Sequence, residues 1–282
     1  MKRMVVLAAA LACAIAGCAR PAPAPGVYAG EQHKRIVSLA PSLTEELFAI
    51  GAGGQVAGTS AYSNYPAQAR ALPVIDAASW INLEKILALR PDFVVGLPSD
   101  ASRTRGLERA KVPAFLMKDD RYDDIYATLD ELGVLTGRID AAGQVVQRLR
   151  SRVATLRKQS AAFRVHPRIF VVLDVSPIYT VGRGSYIDSL LTMAGARNVV
   201  QSGLPYPNYS AERLLSDQPD ALIVAGEVKL KPLLARPPWS DLSAVRRGRV
   251  YQVPPDLGLE VPGPRVAMGL AWLVRVVERL QS

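Results

Sequence analysis

Asn82-Leu83-Glu84-Lys85-Ile86-Leu87-Ala88-Leu89-Arg90-Pro91-Asp92-Phe93-Val94-Val95 recurs, 128 positions later and without a gap, as Ser210-Ala211-Glu212-Arg213-Leu214-Leu215-Ser216-Asp217-Gln218-Pro219-Asp220-Ala221-Leu222-Ile223. Glu, Leu, Pro and Asp coincide, and the neighbours match in type. Each copy reads as a helix that stops before a proline, then an aspartate, then a buried strand. The match predicts two similar lobes, each carrying one glutamate, Glu84 or Glu212, at the same place. Two lobes leave a cleft between them, and a matched pair of acids suits a partner with two-fold symmetry.

The flanking sequence extends the pattern. Arg35 to Ala40 is a short apolar strand ended by Pro41, and Ser42 with Glu45 spells a capping box for a helix running to about Gly51. A short strand is expected near Val56 to Thr59, a helix over Ile81 to Arg90 and a buried strand over Asp92 to Gly96. Pro113 to Met117 reads as another strand and Tyr122 to Leu135 as a helix. Arg168 to Val175 restarts the pattern, followed by a helix over Ser185 to Ala194 and the second copy. A late strand at Arg249 to Val253 and an amphipathic helix at Val266 to Leu280 close the chain. Alternating strands and helices with mostly buried strands argue for α/β lobes with parallel sheets. Between the copies, Ala141 to Phe163 has no proline and an apolar stripe of Val145, Val146, Leu149, Val153 and Leu156. It reads as one long amphipathic helix, a stiff link between the lobes.

The expected organisation is a lipoprotein leader over 1–18, an Ala/Pro-rich tether over 19–33, an N-terminal lobe over 34–138, a linker helix over 139–165 and a C-terminal lobe over 166–282. Lys2 and Arg3 form a positive start, and Met4 to Ile15 is uncharged and apolar, too short for a comfortable membrane span. Ile15-Ala16-Gly17-Cys18 resembles a bacterial lipobox, with Cys18 as the lipidated residue. Cys13 and Cys18 are the only cysteines, so the exported body has no intramolecular disulfide. The expectation is a monomeric body outside the cytoplasm, at the periplasmic face of a membrane and held by lipid.

Composition narrows the function. At 49% hydrophobic and 21% charged, the 282-residue chain is globular. Its net charge of +9 is dispersed, its densest basic cluster is Arg246-Arg247-Gly248-Arg249, and no nucleic-acid-binding signature accompanies it. The two histidines, His33 and His166, lie at the tether edge and at a lobe boundary, outside any metal-ligand spacing, and no GxSxG elbow occurs. Neither a catalytic constellation nor a protein-built metal site is expected. Gly51-Ala52-Gly53-Gly54-Gln55-Val56 fails as a dinucleotide fingerprint and reads as a helix end and turn. Gly182-Arg183-Gly184-Ser185 reads either as amides that hold an anion or as a turn before an N-capped helix.

Loop aromatics are the stronger signal. Tyr62 and Tyr65 flank Ser63-Asn64 in one half, and Tyr206 and Tyr209 flank Pro207-Asn208 in the other. Trp80 precedes the first repeated helix, and Tyr179 follows the first strand of the second half. Rings in such loops either line a cleft or lie half-buried on the surface. Glu84 and Glu212 each follow a good N-cap, Asn82 or Ser210. A first-turn carboxylate is stabilised there by about 0.3–1 kcal/mol, with or without a partner.

Four stretches carry a family resemblance: Arg35 to Glu45 with its Pro-Ser-x-Thr-Glu, Tyr62-Ser63-Asn64-Tyr65-Pro66, Asn82-Leu83-Glu84 through Arg90-Pro91-Asp92, and Pro205-Tyr206-Pro207 through Glu212. From about Arg35 to Leu280 the chain resembles the periplasmic binding proteins of ABC importers that carry cobalamin, haem and ferric siderophores. The Tyr62–Pro66 loop points to the cobalamin-binding members. The resemblance implies the class III architecture: two Rossmann-like α/β lobes with parallel-rich sheets, joined by one rigid helix, with ligand in the cleft. It implies that Tyr62, Ser63, Tyr65, Trp80, Tyr179 and Tyr206 contact a corrinoid, that Asp256 and Glu260 stand at the rim, and that Glu84 and Glu212 dock onto an ABC permease dimer with its ATPase subunits. The best-known cobalamin-binding member has tryptophan where Tyr206 stands, phenylalanine where Tyr179 stands, and a C-lobe disulfide that is missing here. The implied function is a non-enzymatic carrier that needs no cofactor, its ligand being cobalamin. The rivals are a haem or ferric-siderophore carrier of the same fold and, from another class, an exported hydrolase.

Overall fold

Two aspartates anchor two sheets in the same way. Asp92 accepts the Arg35 N–H at 2.7 Å and its own N–H reaches the Arg35 carbonyl at 2.8 Å; Asp220 does the same with Arg168, at 2.7 and 2.8 Å. The arginine side chains also match, each bonding the end of the repeated helix, Leu89 O at 2.9 Å or Asp217 O at 2.8 Å. The repeated Pro-Asp is thus the place where each helix is tied to its sheet. The computed structural model in which this is seen describes residues 34–77, 80–226 and 228–282. The leader, the tether and Cys18 lie outside the described residues.

The N-terminal half contains β1 (Ile36–Ser38), β2 (Val56–Thr59), β3 (Asp76–Ala77), β4 (Trp80–Ile81), β5 (Phe93–Gly96) and β6 (Ala114–Leu116). The C-terminal half contains β7 (Arg168–Val172), β8 (Asp174–Val175), β9 (Ile178–Tyr179), β10 (Arg197–Asn198), β11 (Ala221–Val224) and β12 (Val250–Gln252). The main sheets are both parallel and four-stranded, in the orders β2-β1-β5-β6 and β10-β7-β11-β12. Two small antiparallel hairpins, β3-β4 and β8-β9, are added. The central strands are buried on both faces, which explains their unbroken apolar runs.

Between the sheets runs a helix, Ile139–Ser160. Its stripe of Val145, Val146, Leu149, Val153 and Leu156 is buried, and the helix packs on the Asp124–Thr136 helix of one half and the Val266–Arg279 helix of the other. One apolar cluster runs through it from Ile36 and Phe93 to Ile169 and Leu270. Bending this link would expose core, so it is stiff.

Two expectations change on inspection, and one open alternative is decided. The first repeated helix spans Leu83–Ala88 instead of Ile81 to Arg90. Ile81 pairs with Asp76 in the β3-β4 hairpin, and Arg90 turns to a left-handed φ of 48° before the proline. Gln218, its counterpart, does likewise at 40°. The Ser42–Glu45 capping box does not form. The helix begins at Pro41 with no side-chain cap, while Ser42 donates to Asp119 and Glu45 binds Arg265. The amides before the Ser185 helix are satisfied internally: Asp188 accepts from Gly184 N at 2.8 Å and Ser185 from Asp188 N at 3.2 Å.

Candidate functional site: an acid-lined interlobe cleft

In parallel α/β sheets the segments leaving the carboxyl ends of the strands form the binding crevice. Here those segments hold nearly every residue singled out from the sequence. Ser42 and Glu45 follow β1, the Tyr62–Pro66 loop follows β2, and Asp119 and Asp120 follow β6. Across from them, Tyr179 lies in β9 after β7, Tyr206 follows β10, and Asp256 and Glu260 follow β12.

The Tyr62 loop is held from beneath. Thr44 Oγ1 lies 2.9 Å from Thr59 Oγ1 and 3.0 Å from Ser63 Oγ, and bonds Ser38 Oγ at 2.9 Å. Ser63 is buried and also reaches Ser60 Oγ at 2.9 Å, so its hydroxyl supports the loop from inside. Ala61 N donates to Asp76 at 2.7 Å, which fixes the loop against the β3-β4 hairpin. Tyr62 is left 64% exposed and Tyr65 43%. Trp80 is placed only by its backbone, paired with Ala77; its side chain lies outside what is described.

On the other side, the Tyr179 and Tyr206 segments are stitched together. Tyr179 bridges Asn208, Thr180 N donates to Pro207 O at 3.2 Å, and Tyr209 N to Ile178 O at 2.9 Å. Gly182 permits the approach, because a Cβ there would stand 1.8 Å from Leu204 O. Tyr179 and Tyr206 are both exposed. Glu260 accepts from the N–H of Gly226, whose φ of +66° aims that group outwards. Asp256 stands exposed on the turn after β12, and its carbonyl receives Arg265 Nη1 at 2.8 Å.

Arg265 and Glu45 meet at the floor. Arg265 Nε donates to Glu45 Oε2 at 2.8 Å and Nη2 donates to Oε1, while the guanidinium lies 4.2 Å from the centre of the Tyr65 ring. Three separate segments thereby converge on one buried side chain. Sequence reasoning placed Glu45 in a cap and did not single out Arg265; the signal was the arginine in Pro262-Gly263-Pro264-Arg265, a lone cation opening an apolar helix.

The remaining charge is acidic. Burial raises the Glu45 carboxyl above its usual range, offset by Arg265. Glu46, completely enclosed, is raised well above it by burial and then by Asp119 and Glu45, and its Oε2 has no hydrogen-bond partner among the described residues. Asp119 is raised by burial, partly countered by the 3.0 Å bond from Ser42. Although the Tyr206 side chain as a whole is exposed, desolvation raises its hydroxyl first, and the charges of Asp119 and Asp120 raise it further. Glu260 is raised by desolvation against the Gly226 bond. Tyr186 is fully buried with its hydroxyl unpartnered among the described residues, and its pKa is raised by burial and by Glu45. Among the described residues no group of three metal-ligating side chains occurs.

The residues read as a docking pair make no salt bridge among the described residues. Glu84 and Glu212 sit in helix first turns, exposed, below Asn82 and Ser210 caps that accept from Lys85 N at 3.0 Å and Arg213 N at 3.2 Å.

Residues 36–257 of the chain match the model of a known family, the periplasmic binding protein. The chain belongs to the periplasmic binding protein family. The vitamin B12-binding protein of Vibrio cholerae is 30% identical over 236 residues, covering 82% of this chain and 84% of that protein. The crystal structure of the periplasmic vitamin B12 binding protein BtuF of the same organism superposes with a TM-score of 0.77 at 27% identity, over 89% of this chain and 99% of that one. A periplasmic heme binding protein from Pseudomonas aeruginosa superposes with a TM-score of 0.78 at 26% identity, over 86% and 91%. YvrC, an ABC transporter substrate-binding lipoprotein of Bacillus subtilis, is 27% identical over 255 residues, covering 88% of this chain and 81% of that protein. Among the described residues of this family member, no helix is long and apolar enough to cross a membrane.

Proposed function

We propose that this periplasmic binding protein captures cobalamin or a related corrinoid in its interlobe cleft and delivers it to an ABC permease. The observation that carries the reading is the sign of the cleft. Glu45, Glu46 and Asp119 gather behind the Tyr62 loop and the first helix, and the cation at the floor, Arg265, is already paired with Glu45. A corrinoid fits such a site. Its rim is made of amides, its overall charge is neutral or positive, and its four ring nitrogens already hold the cobalt. Contact with Tyr62, Tyr65, Tyr179 and Tyr206 then suffices for capture. Haem brings two propionates and many ferric siderophores are anionic, and both meet the same acids as repulsion.

One observation favours haem as the second reading. Tyr62 presents an exposed phenol at the mouth, and a tyrosine can serve as an axial iron ligand. Trp80 joins the pocket in the corrinoid reading, while Ser63 acts by holding the Tyr62 loop. Glu84 and Glu212 dock onto the two permease subunits, and Cys18 carries the lipid that tethers the protein at the periplasmic face. The similarity to a substrate-binding lipoprotein supports that anchor.

Titration calorimetry with cyanocobalamin and with haemin tests the choice. One-to-one binding of cyanocobalamin with haemin silent is the expected result. Binding of haemin alone would overturn the corrinoid reading and leave the carrier function standing.

A further inference from the structure

The C-terminal lobe has a second concavity beside the cleft. It has a volume of about 590 Å³ and is lined by Asp174, Val228, Lys229, Arg236, Pro237 and Trp239, among others. This is the size range of small-molecule sites, roughly 300–1,000 Å³. Its position in the topology is specific. The chain leaves β7 for β10 on one side and returns to β11 on the other, so the strand order reverses between β7 and β11. The crevice outside the carboxyl ends of strands at such a reversal is where open α/β sheets hold ligands. The cavity walls are the segments that leave these two strands: Leu173 to Val175 after β7, and Val228 and Lys229 after β11.

It also adjoins the cleft. Asp174 pairs with Tyr179 across the β8-β9 hairpin, so one short hairpin walls both spaces. Leu173 O and Glu260 Oε1 stand 3.5 and 3.8 Å from the same point, the Cβ position of Gly226. The chemistry of the two spaces differs. The cleft gathers acids, whereas among the described residues the cavity sets Lys229 and Arg236 against one acid, Asp174, beside Pro237 and the largely buried Trp239. Both cationic residues are exposed, and neither belongs to a salt bridge among the described residues.

We infer that this cavity is a subsite for an anionic arm of the cleft ligand, a phosphate carried on a heteroaromatic nucleoside. Such an arm lies against the apolar wall of Val228, Pro237 and the small part of Trp239 that is exposed, while its phosphate meets the two cations. The assignment rests on the corrinoid reading, because a complete corrinoid combines an amide-rimmed ring with a benzimidazole nucleotide arm bearing one phosphodiester. A neutral ring over the acids and an anionic arm over Lys229 and Arg236 would fix which way round the ligand lies.

The test compares the protein with its Lys229→Ala/Arg236→Ala variant, against cyanocobalamin, cobinamide (a corrinoid without the nucleotide arm), haemin and a free benzimidazole nucleoside phosphate. The variant should lose about 10–100-fold in cyanocobalamin affinity, the worth of one or two charge-assisted hydrogen bonds, and keep its cobinamide affinity. The free nucleoside phosphate should shift the Trp239 indole N–H resonance in the wild type and leave it unmoved in the variant. Equal losses for both corrinoids, no loss for either, or a silent Trp239 would overturn the subsite. A loss confined to haemin would assign the cations to a carboxylate and overturn the nucleotide assignment. Should neither corrinoid bind the wild type, the corrinoid reading fails by itself, and the Trp239 resonance still decides whether the cavity holds a nucleotide.

Discussion

Arg265, at the start of the last helix, holds Glu45 of the first helix through two hydrogen bonds, and both side chains are buried. The pair joins residues 220 positions apart and ties the two lobes at the base of the cleft. Removing one partner strands the other as a buried charge. Arg265→Met is therefore expected to destabilise the protein by about 3–5 kcal/mol, whereas the joint Glu45→Met/Arg265→Met change should return most of that loss. Urea denaturation of both single variants and the double decides it; equal costs in the double and the sum of the singles would mean the residues are independent.

Glu46 sets a pH dependence. Its folded carboxyl titrates well above the ordinary carboxylate range because it is buried beside Asp119 and Glu45. As pH rises past the unfolded value, the unfolded chain releases this proton first, so folding stability falls until the folded carboxyl also ionises. Glu45 and Asp119 act in the same direction. Thermal melts from acid to neutral pH should show this decline, and Glu46→Gln should make it shallower while raising stability at neutral pH. A Glu46→Gln profile parallel to wild type would show that Glu46 is ionised in the fold.

Aromatic contact predicts a separation of binding from stability. Tyr62 and Tyr206 are exposed in the free protein. Tyr62→Ala and Tyr206→Ala should each weaken corrinoid binding by about 2 kcal/mol, roughly 30-fold. Denaturation midpoints should stay within about 0.5 kcal/mol of wild type. Calorimetry and urea curves on the same samples separate the two effects.

Glu84→Lys and Glu212→Lys should leave ligand affinity unchanged and cost no more than about 1 kcal/mol in stability, because each acid is exposed in a helix first turn and forms no salt bridge among the described residues. Transport by the assembled importer in vesicles should fall with either change and fail with both. Full transport by the double variant would remove these acids from docking.

Much of this architecture was legible because local rules and topology agree. The repeat around Pro91-Asp92 and Pro219-Asp220 marks the points where helix and sheet are tied, and the Val145–Leu156 stripe marks the buried face of the link. The loop tyrosines were legible because aromatic residues outside apolar strand runs have few places to go. Glu45 was misread because Ser-x-x-Glu is satisfied equally by a local cap and by a distant cation, and only the fold brings Arg265 to it. The basic cavity was not legible either. Asp174, Lys229 and Trp239 are scattered in sequence and meet only because the sheet reverses its strand order between them.

A single hydroxyl carries a single proton, yet Thr44 Oγ1 stands within bonding distance of Ser38, Thr59, Ser63 and the Ala40 carbonyl. Thr44 gives that proton to Ser38 or to the Ala40 carbonyl, and Ser38 gives its own to Ala40. Ser63 must then donate to Thr44 and Ser60 to Ser63, so the run of hydroxyls is directed from the Tyr62 loop towards the first strand. The loop and the strand thus share one ordered set of hydrogen positions, and Thr44→Val, which keeps the outline of the side chain, would cut it in the middle.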